Sequence, residues 1–135
     1  MAITDRSGIP VAIYVASATP HEVTLVDETI DACFAIGLPE RLIGDKAYDS
    51  DELDTRLAEE RGIELISPSR SNRRKTQDGR PLRRYKRRWK MERAFAWLQN
   101  YRRIVVRYER HARNFLGMIH LACILMLGKR LVCHP

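Results

Sequence analysis

The sequence predicts one α/β domain, because short strands and helices alternate along its first half. With 135 residues, of which 44% are hydrophobic, the chain can bury one modest core. Runs rich in β-branched residues are separated by helix-like segments and turn residues, which is typical of an α/β sandwich. We expect the later strands to pair in parallel, because a predicted helix connects them.

The first predicted element is a hairpin. Residues 1–5 predict a short strand, residues 6–8 a turn, and residues 9–17 a second strand. Apolar residues then recur at helical spacing over residues 22–36, and Gly37 predicts the end of that helix.

The alternation continues through the middle of the chain. Residues 41–44 predict a strand, residues 50–61 a helix that Gly62 ends, and residues 63–67 a last strand. Residues 69–81 follow as a basic loop that contains Ser, Asn, Gln and Gly.

The second half predicts mainly helix. One helix is expected to begin near Pro81 and to include Glu92, because no Gly or further Pro interrupts this segment. Residues 104–108 predict a short extended link, and residues 112–131 a final apolar helix that we expect to be buried. The longest apolar run, residues 115–128, is shorter than the roughly 20 residues that span a bilayer, so we expect no membrane segment.

Charge divides the chain into two halves of opposite sign. Residues 1–69 carry 5 Lys or Arg and 14 Asp or Glu, a net charge of −9, whereas residues 70–135 carry 19 and 3, a net charge of +16. Eleven basic residues lie between positions 70 and 90, where Asp78 is the only acidic residue. Such clustering favours a nucleic acid partner over a solvated surface, because binding phosphates releases counterions.

The cysteines indicate a reducing compartment. Cys33, Cys123 and Cys133 are odd in number, far apart, and not spaced as metal ligands with the histidines. No secretory signal opens the sequence. We therefore expect a cytoplasmic protein that is associated with the nucleoid.

One carboxylate, Glu92, stands inside the basic region on a predicted helix. Tyr85, Arg88, Glu92 and Gln99 are spaced by 3, 4 and 7 residues, which places them on one helical face. An adjacent apolar stripe is expected to pack against the core, so that Glu92 faces a cleft. That stripe consists of Met91, Phe95 and Leu98.

A second carboxylate, Asp45, follows a predicted strand, at the end where open α/β sheets place their ligands. If the helix of Glu92 packs beside that strand, the two carboxylates can share a hard cation such as Mg²⁺ or Mn²⁺. Structural roles remain open for both residues, since Asp45 can cap a turn and Glu92 can pair with Arg88. Asp5 is more typical of a hairpin turn than of a metal site.

These residues resemble the DDE transposases of bacterial insertion sequences, close to the insertion sequence 5 family. The arrangement Tyr85-x2-Arg88-x3-Glu92 resembles the signature around the catalytic glutamate of that family. The sequence of residues 45–48, Asp-Lys-Ala-Tyr, resembles the block of the second catalytic aspartate, and residues 97–103, Trp-Leu-Gln-Asn-Tyr-Arg-Arg, extend the similarity.

The resemblance implies a ribonuclease H-like fold and two Mg²⁺ or Mn²⁺ ions that support cleavage of transposon ends and their joining to target DNA. It implies that Asp45 and Glu92 are catalytic and bind metal. Gln99 stands where the family signature usually has a basic residue, so the DNA contact there differs. The predicted DNA-binding residues are Tyr85, Arg88, Arg84, Arg87 and Lys90.

The start of the sequence differs from the family pattern. Residues 4–10, Thr-Asp-Arg-Ser-Gly-Ile-Pro, resemble a turn after the family's second strand, so we do not expect Asp5 to be the first catalytic aspartate. Residues 1–135 are then a partial catalytic domain without the first strand or the upstream DNA-binding domain. Such a chain would not transpose alone, and its exposed sheet edge would favour association with an upstream transposase polypeptide or with itself. The alternative is a non-enzymatic, basic nucleic-acid-binding remnant.

Overall fold

Short strands and helices alternate in the computed structural model, which describes residues 1–70, 86 and 88–132. The strands are β1 (Ala2–Thr4), β2 (Pro10–Ile13), β3 (Arg41–Ile43) and β4 (Glu64–Ile66). The α-helices are α1 (Val26–Asp31), α2 (Asp51–Arg61), α3 (Trp89–Leu98), α4 (Arg102–Val105) and α5 (Ala112–Val132). Two short 3-10 helices cover Glu22–Leu25 and Lys46–Tyr48. The predicted α/β class is therefore confirmed.

β1 and β2 form the predicted antiparallel hairpin. Asp5 closes its turn, because Oδ1 accepts hydrogen bonds from the main-chain N–H groups of Ser7 and Ile9, each with an N···O distance of 2.8 Å. Gly8 has a φ of +81°, a left-handed conformation that favours glycine. The turn role predicted for Asp5 is confirmed.

β3 and β4 pair in parallel, as predicted, and α2 connects them. The Ser50 hydroxyl caps the start of α2 by accepting a hydrogen bond from the Leu53 N–H at 3.4 Å. Gly62 ends the helix with a φ of +66°. Both ends of this helix therefore follow from local sequence signals.

The first helix is shorter than the predicted span of residues 22–36. A 3-10 helix precedes α1, which ends at Asp31. Cys33 instead forms a β-bridge with Ala12 on the edge of the hairpin. This long-range main-chain pairing stops the helix before Gly37, which the sequence had indicated as its end.

The predicted extended link at residues 104–108 is wrong in its first part. The N–H groups of Ile104 and Val105 donate to the Tyr101 carbonyl at 2.9 and 3.3 Å, so these residues belong to α4. The predicted helix start near Pro81 lies outside the described residues, and α3 is described from Trp89 onward.

Two apolar clusters hold the elements together. The first packs α1 and α2 on β4, and the second packs β2, α3 and α5. The first cluster consists of Val26, Ile30, Leu53, Leu57, Ile63 and Leu65. The second consists of Ile13, Leu98, Ile119, Ala122 and Cys123.

The described strands form two separate two-stranded sheets, β1-β2 and β3-β4. Ile3 of β1 and Leu42 of β3 both pack against the first apolar cluster. Side-chain packing therefore links the two sheets, and the described residues include no ladder between β1 and β3.

α5 confirms the predicted final helix, but its expected burial is wrong. The buried residues of this helix are Ile119, Ala122 and Cys123, whereas Leu131 and Val132 are 80% and 85% exposed. By length and composition alone, this helix could cross a membrane, a test that core helices of soluble proteins also pass.

Replacing Leu57 by alanine tests the first apolar cluster. Leu57 is fully buried, so Leu57→Ala should lower the free energy of unfolding by about 2–5 kcal/mol through lost burial and cavity formation. Urea denaturation followed by circular dichroism measures the change. Leu131→Ala is the matched control, because its side chain is exposed and should change stability by no more than about 0.5 kcal/mol. Equal losses in both variants would contradict this packing.

Candidate metal and nucleic-acid site

A cavity of about 1020 Å³ is lined by both two-stranded sheets. β1 contributes its whole length, and β3 does the same. Helical side chains also line the cavity, including Ile30 of α1 and Phe95 of α3. The charged residues along its wall include Asp5, Arg6, Asp45 and Arg88. The cavity therefore combines apolar walls with charged groups.

Asp45 follows the end of β3, as the sequence predicted, with Gly44 between them, and it lines this cavity. Its Oδ1 accepts a hydrogen bond from the Ala47 N–H at 2.8 Å and so caps the 3-10 helix Lys46–Tyr48. The capping role that the sequence left open is thus confirmed. Among the described residues, no hydrogen bond uses Oδ2 of this carboxylate, so that oxygen can bind a ligand.

Glu92 lies beside the cavity rather than in its wall. Its Oε1 is 3.0 Å from Nη2 of Arg88, one helical turn earlier, which confirms the ion pair that the sequence left open. The Glu92 side chain is 62% exposed. Of the two members of this ion pair, Arg88 lines the cavity and Glu92 does not. Glu92 therefore faces solvent, unlike the cleft-facing position that we expected.

The orientation of α3 explains this difference. The buried residues of the helix are Ala94 and Leu98, so Leu98 alone confirms the predicted core stripe. Met91 and Phe95, which we expected to pack against the core, line the cavity instead. Helical spacing predicts which residues share a face, but it does not predict which way that face points.

Two basic side chains of α3 hold the hairpin turn. Nζ of Lys90 donates to the Arg6 carbonyl, and Nη2 of Arg93 donates to the Ser7 carbonyl at 2.9 Å. A Cβ atom added at Gly8 would lie 3.2 Å from the Arg93 guanidinium, which shows how closely the turn approaches the helix. Lys90, which we predicted to bind DNA, therefore already has a main-chain partner.

Arg93 also stacks on both tryptophans of α3. Its guanidinium carbon lies 4.7 Å from the ring centroid of Trp89 and 4.7 Å from that of Trp97, within cation–π range. The sequence did not single out Arg93, because its hydrogen-bond partner lies 86 residues earlier in the chain. In a segment so rich in Arg and Lys, composition does not distinguish Arg93 from its basic neighbours.

In the basic region, residues 70–90, the described residues Arg70 and Arg88 lie close to the two predicted catalytic residues. Arg70 donates from Nε to the Lys46 carbonyl at 3.0 Å and from Nη2 to the Ala47 carbonyl at 2.7 Å. These carbonyls belong to the turn that Asp45 caps. At the other end, Arg88 pairs with Glu92. The predicted DNA-binding residues Arg84, Tyr85 and Arg87 lie outside the described residues.

The donor chemistry of the two carboxylates fits a hard divalent cation. Among the contacts of the described residues, Asp45 and Glu92 each use one oxygen, which leaves a second oxygen for a ligand. Within the described residues, no group of three or more His, Cys, Asp or Glu side chains is arranged to hold a metal. A cation bound by either carboxylate would complete its shell with water or phosphate oxygens, as Mg²⁺ usually does.

Tyr48 is a further cavity residue whose proton affinity is strongly changed. Burial raises the pKa of Tyr48 to about 12, and the nearby negative charges of Glu22 and Asp45 add to the effect. Both Glu22 and Tyr48 line the cavity. The phenol is therefore a neutral hydrogen-bonding group beside Asp45 at physiological pH.

Known proteins similar to this chain are transposases. The family described as Transposase DDE domain matches residues 1–127. A protein named as a transposase for insertion sequence element IS402 of Burkholderia cepacia is 35% identical over 132 residues, which cover 92% of this chain and 59% of that protein. One named for element IS6501 of Brucella ovis is 30% identical over 128 residues, covering 93% of each chain. No solved structure gives a significant match.

The raised pKa of Tyr48 predicts a loss of stability at alkaline pH. The folded state holds this proton more tightly than the unfolded state, where tyrosine ionises near about pH 10. The resulting stabilisation is fully present below pH 10 and is lost as the pH rises towards the folded pKa of about 12. Ultraviolet titration of tyrosinate should show a late transition that Tyr48→Phe lacks. Tyr108→Phe, at an exposed position, should retain it. A late transition that persists in Tyr48→Phe would contradict this assignment.

Proposed function

Since this chain belongs to the DDE transposase family of bacterial insertion sequences, as its resemblance indicated, we propose that it acts in DNA transposition as a partial catalytic domain. Transposases act on DNA, and this family generally uses divalent metal ions. In the proposed function, residues 1–135 form one ribonuclease H-like unit. It contributes to cleaving transposon ends and joining them to target DNA.

Asp45 and Glu92 are the proposed catalytic and metal-binding residues. When bound, Mg²⁺ or Mn²⁺ ions stabilise charge on the attacking and leaving oxygens of a phosphodiester. The proposal is supported by the position of Asp45 on the cavity wall and by the link from Glu92 to that wall through Arg88. Within the part of the chain that the structure describes, each carboxylate has one oxygen that no contact uses.

The observation that carries the proposal is the position of the basic region relative to these carboxylates. Arg70 contacts the turn of Asp45, and Arg88 contacts Glu92, so basic groups stand beside both acidic residues. Arginine binds phosphate oxygens through a planar, bidentate guanidinium. The Arg70 guanidinium already donates to the Lys46 and Ala47 carbonyls, so Arg88 is the proposed phosphate-binding side chain of the two, and a DNA backbone that it holds would lie next to Glu92.

DNA binding is proposed to break the Arg88–Glu92 ion pair. Both side chains are about half exposed or more, and such surface pairs within a helix contribute only about 0.3–0.5 kcal/mol. A phosphate can therefore displace Glu92 from Arg88 at small cost. The freed carboxylate is then available to a cation, so DNA binding would favour metal binding.

A complete catalytic centre is proposed to need a third carboxylate ligand from outside residues 1–135. The family resemblance implies a third carboxylate ligand from a first strand, and the IS402 protein extends well beyond the region that matches this chain. We place the third ligand on a transposase segment outside residues 1–135. Residues 1–135 by themselves are expected to bind DNA without transposing it.

The site is proposed to act with bacterial DNA in the cytoplasm. The described cysteines, Cys33 and Cys123, are free thiols, which suits a reducing compartment. Burial raises the pKa of the Cys123 thiol, so this group is poorly reactive.

A non-enzymatic DNA-binding remnant is the second candidate. It is favoured by the structural contacts of both carboxylates, since Asp45 caps a turn and Glu92 pairs with Arg88. In that case the acidic residues stabilise local structure and the basic region alone binds nucleic acid.

Removing both carboxylates distinguishes the two candidates. Asp45→Asn combined with Glu92→Gln should abolish Mn²⁺ binding measured by isothermal titration calorimetry, because amides are poor ligands for hard cations. DNA affinity should remain salt-dependent and as strong as in the wild type. Glu59→Gln, an exposed change on α2, is the control that should bind Mn²⁺ normally. Normal Mn²⁺ binding by the double variant would refute the metal site and support the remnant.

The salt dependence of DNA binding tests the basic region. Arg84→Gln with Arg87→Gln should weaken binding and reduce the slope of log K against log salt by about 0.9 for each lost phosphate contact. The matched control, Arg113→Gln with Lys129→Gln, removes the same charge from exposed positions on α5. Fluorescence anisotropy of labelled duplex DNA measures both slopes. Equal changes in the two double variants would show that overall charge, rather than this segment, binds DNA.

A further inference from the structure

A second basic surface lies where α4 joins α5, in residues 102–110, which are named here the arginine segment. These residues include four arginines and one glutamate, a net charge of +3. Glu92 lies in the first turn of α3, whereas the arginine segment begins after the last turn of that helix. The part of α3 between Glu92 and Leu98 spans roughly 9 Å, at a rise of 1.5 Å per residue. The arginine segment is therefore distinct from the candidate site.

Two arginines of this segment have guanidinium groups that are available to a ligand. Arg102 and Arg110 are both exposed. Among the described residues, no hydrogen bond or ion pair uses either guanidinium. Arginine side chains in this state bind phosphate oxygens with a planar set of donors. They give the segment an affinity for a nucleic acid backbone that does not depend on base sequence.

The other charged residues of the segment hold its shape. Arg107 donates from Nε to the Glu109 carbonyl at 2.9 Å and from Nη2 to the Arg110 carbonyl at 3.3 Å. The Glu109 side chain is only 10% exposed, and its Oε1 accepts a hydrogen bond from Nη1 of Arg103 at 3.2 Å. The residues before and after position 108 are therefore both anchored by side-chain contacts.

Tyr108, between these two anchored residues, presents an aromatic ring to solvent. It is 62% exposed. Among the described residues, its ring stacks on no other aromatic ring or cation, and its hydroxyl makes no hydrogen bond. Val105 and Val106 of the same segment are 60% and 47% exposed. The arginine segment therefore exposes apolar area and positive charge together.

This combination fits single-stranded nucleic acid better than a duplex. Bases inside a duplex are stacked on one another, whereas an unpaired base can place its flat face on an aromatic ring. Positively charged side chains near such a ring bind the phosphates that connect the bases. Because the main chain around Tyr108 is already anchored, little ordering is needed when a base stacks there.

We propose that the arginine segment binds a single-stranded stretch of DNA. One base stacks on Tyr108, and the neighbouring phosphates bind Arg102 and Arg110. The choice of DNA rests on the proposed function, because transposases act on DNA. The surface itself uses neither carboxylate of the candidate site and no residue of the basic region 70–90.

Replacing Tyr108 tests the stacking contact. The probe is a fluorescein-labelled oligothymidylate of about ten nucleotides, within the usual size range of single-strand sites. Tyr108→Ala should weaken its binding to the full chain by about 5- to 100-fold, because stacking on one base is lost. The slope of log K against log salt should stay the same, since no charge changes. Tyr108→Phe keeps the ring and should bind as the wild type does. Phe34→Ala, which removes an exposed ring elsewhere, should also leave binding unchanged.

A change in the probe separates base stacking from phosphate binding. An abasic oligonucleotide of the same length keeps the phosphates but lacks the bases. It should bind the wild-type chain about 5- to 100-fold more weakly, with the same salt slope. This comparison decides the question if circular dichroism shows that Tyr108→Ala unfolds. Arg102→Gln with Arg110→Gln should instead reduce the salt slope by about 0.7 for each lost phosphate contact.

Photochemical crosslinking locates the stacked base. Iododeoxyuridine in place of one thymidine reacts on irradiation with an aromatic side chain that stacks on it. Mass spectrometry of the digested complex should place the crosslink at Tyr108. A crosslink at Trp89 or Trp97 would place the single strand on α3 and overturn the proposal.

Three further results would overturn the proposal. These are equal binding of oligothymidylate by Tyr108→Ala and the wild type, equal binding of the abasic oligonucleotide, and competition by a glutamate-rich peptide as strong as that by unlabelled oligothymidylate. The last result would assign the arginines to an acidic protein partner.

Labelled duplex DNA, measured with the same samples, keeps this test separate from the proposed function. Tyr108→Ala should leave duplex affinity unchanged, because paired bases do not stack on the ring. If the wild-type chain binds oligothymidylate through Tyr108 but does not bind duplex DNA, the proposed function fails and this inference stands.

Discussion

The apolar cluster around α1 and α2 is the contact on which the first half of the molecule depends. Ile3 and Leu42 come from different sheets and meet at the same buried side chains. Main-chain hydrogen bonds fix the spacing and register of paired strands. Side-chain packing alone defines the spacing between strands less closely. Each sheet therefore keeps its own register, while the separation between the sheets is set by a few apolar side chains. The cavity lies between β1 and β3, the two strands that only side-chain packing connects among the described residues.

Much of the fold follows from local signals in the sequence. The Asp5 turn and the Gly62 stop depend on neighbouring residues and form as predicted, and the Ser50 cap is a local contact of the same kind. The misjudged elements depend on distant partners. Cys33 leaves the predicted helix to bridge Ala12, a pairing that apolar periodicity does not encode. The exposure of α5 likewise depends on how much of the rest of the chain covers it, which hydrophobicity alone does not reveal.

In the candidate site, too, the features set by local sequence were predicted and those set by distant contacts were not. The position of Asp45 after a strand followed from the α/β pattern, and the ion pair of Glu92 with Arg88 followed from helical spacing. The outward direction of Glu92 did not, because spacing leaves the rotation of α3 undetermined. That rotation is fixed by the burial of Ala94 and by the contact of Arg93 with the hairpin turn. The chemistry assigned to the two carboxylates comes from family resemblance and stays a prediction.

The stacking of Arg93 between two aromatic rings has a practical consequence for spectroscopy. Trp89 and Trp97 are the only two tryptophans in the sequence, and both contact the same guanidinium. Intrinsic fluorescence of this protein therefore reports on one place, the junction of α3 with the hairpin, and not on the apolar core as a whole. An emission change in a titration or a melt marks the separation of that junction, and it need not coincide with the loss of helix.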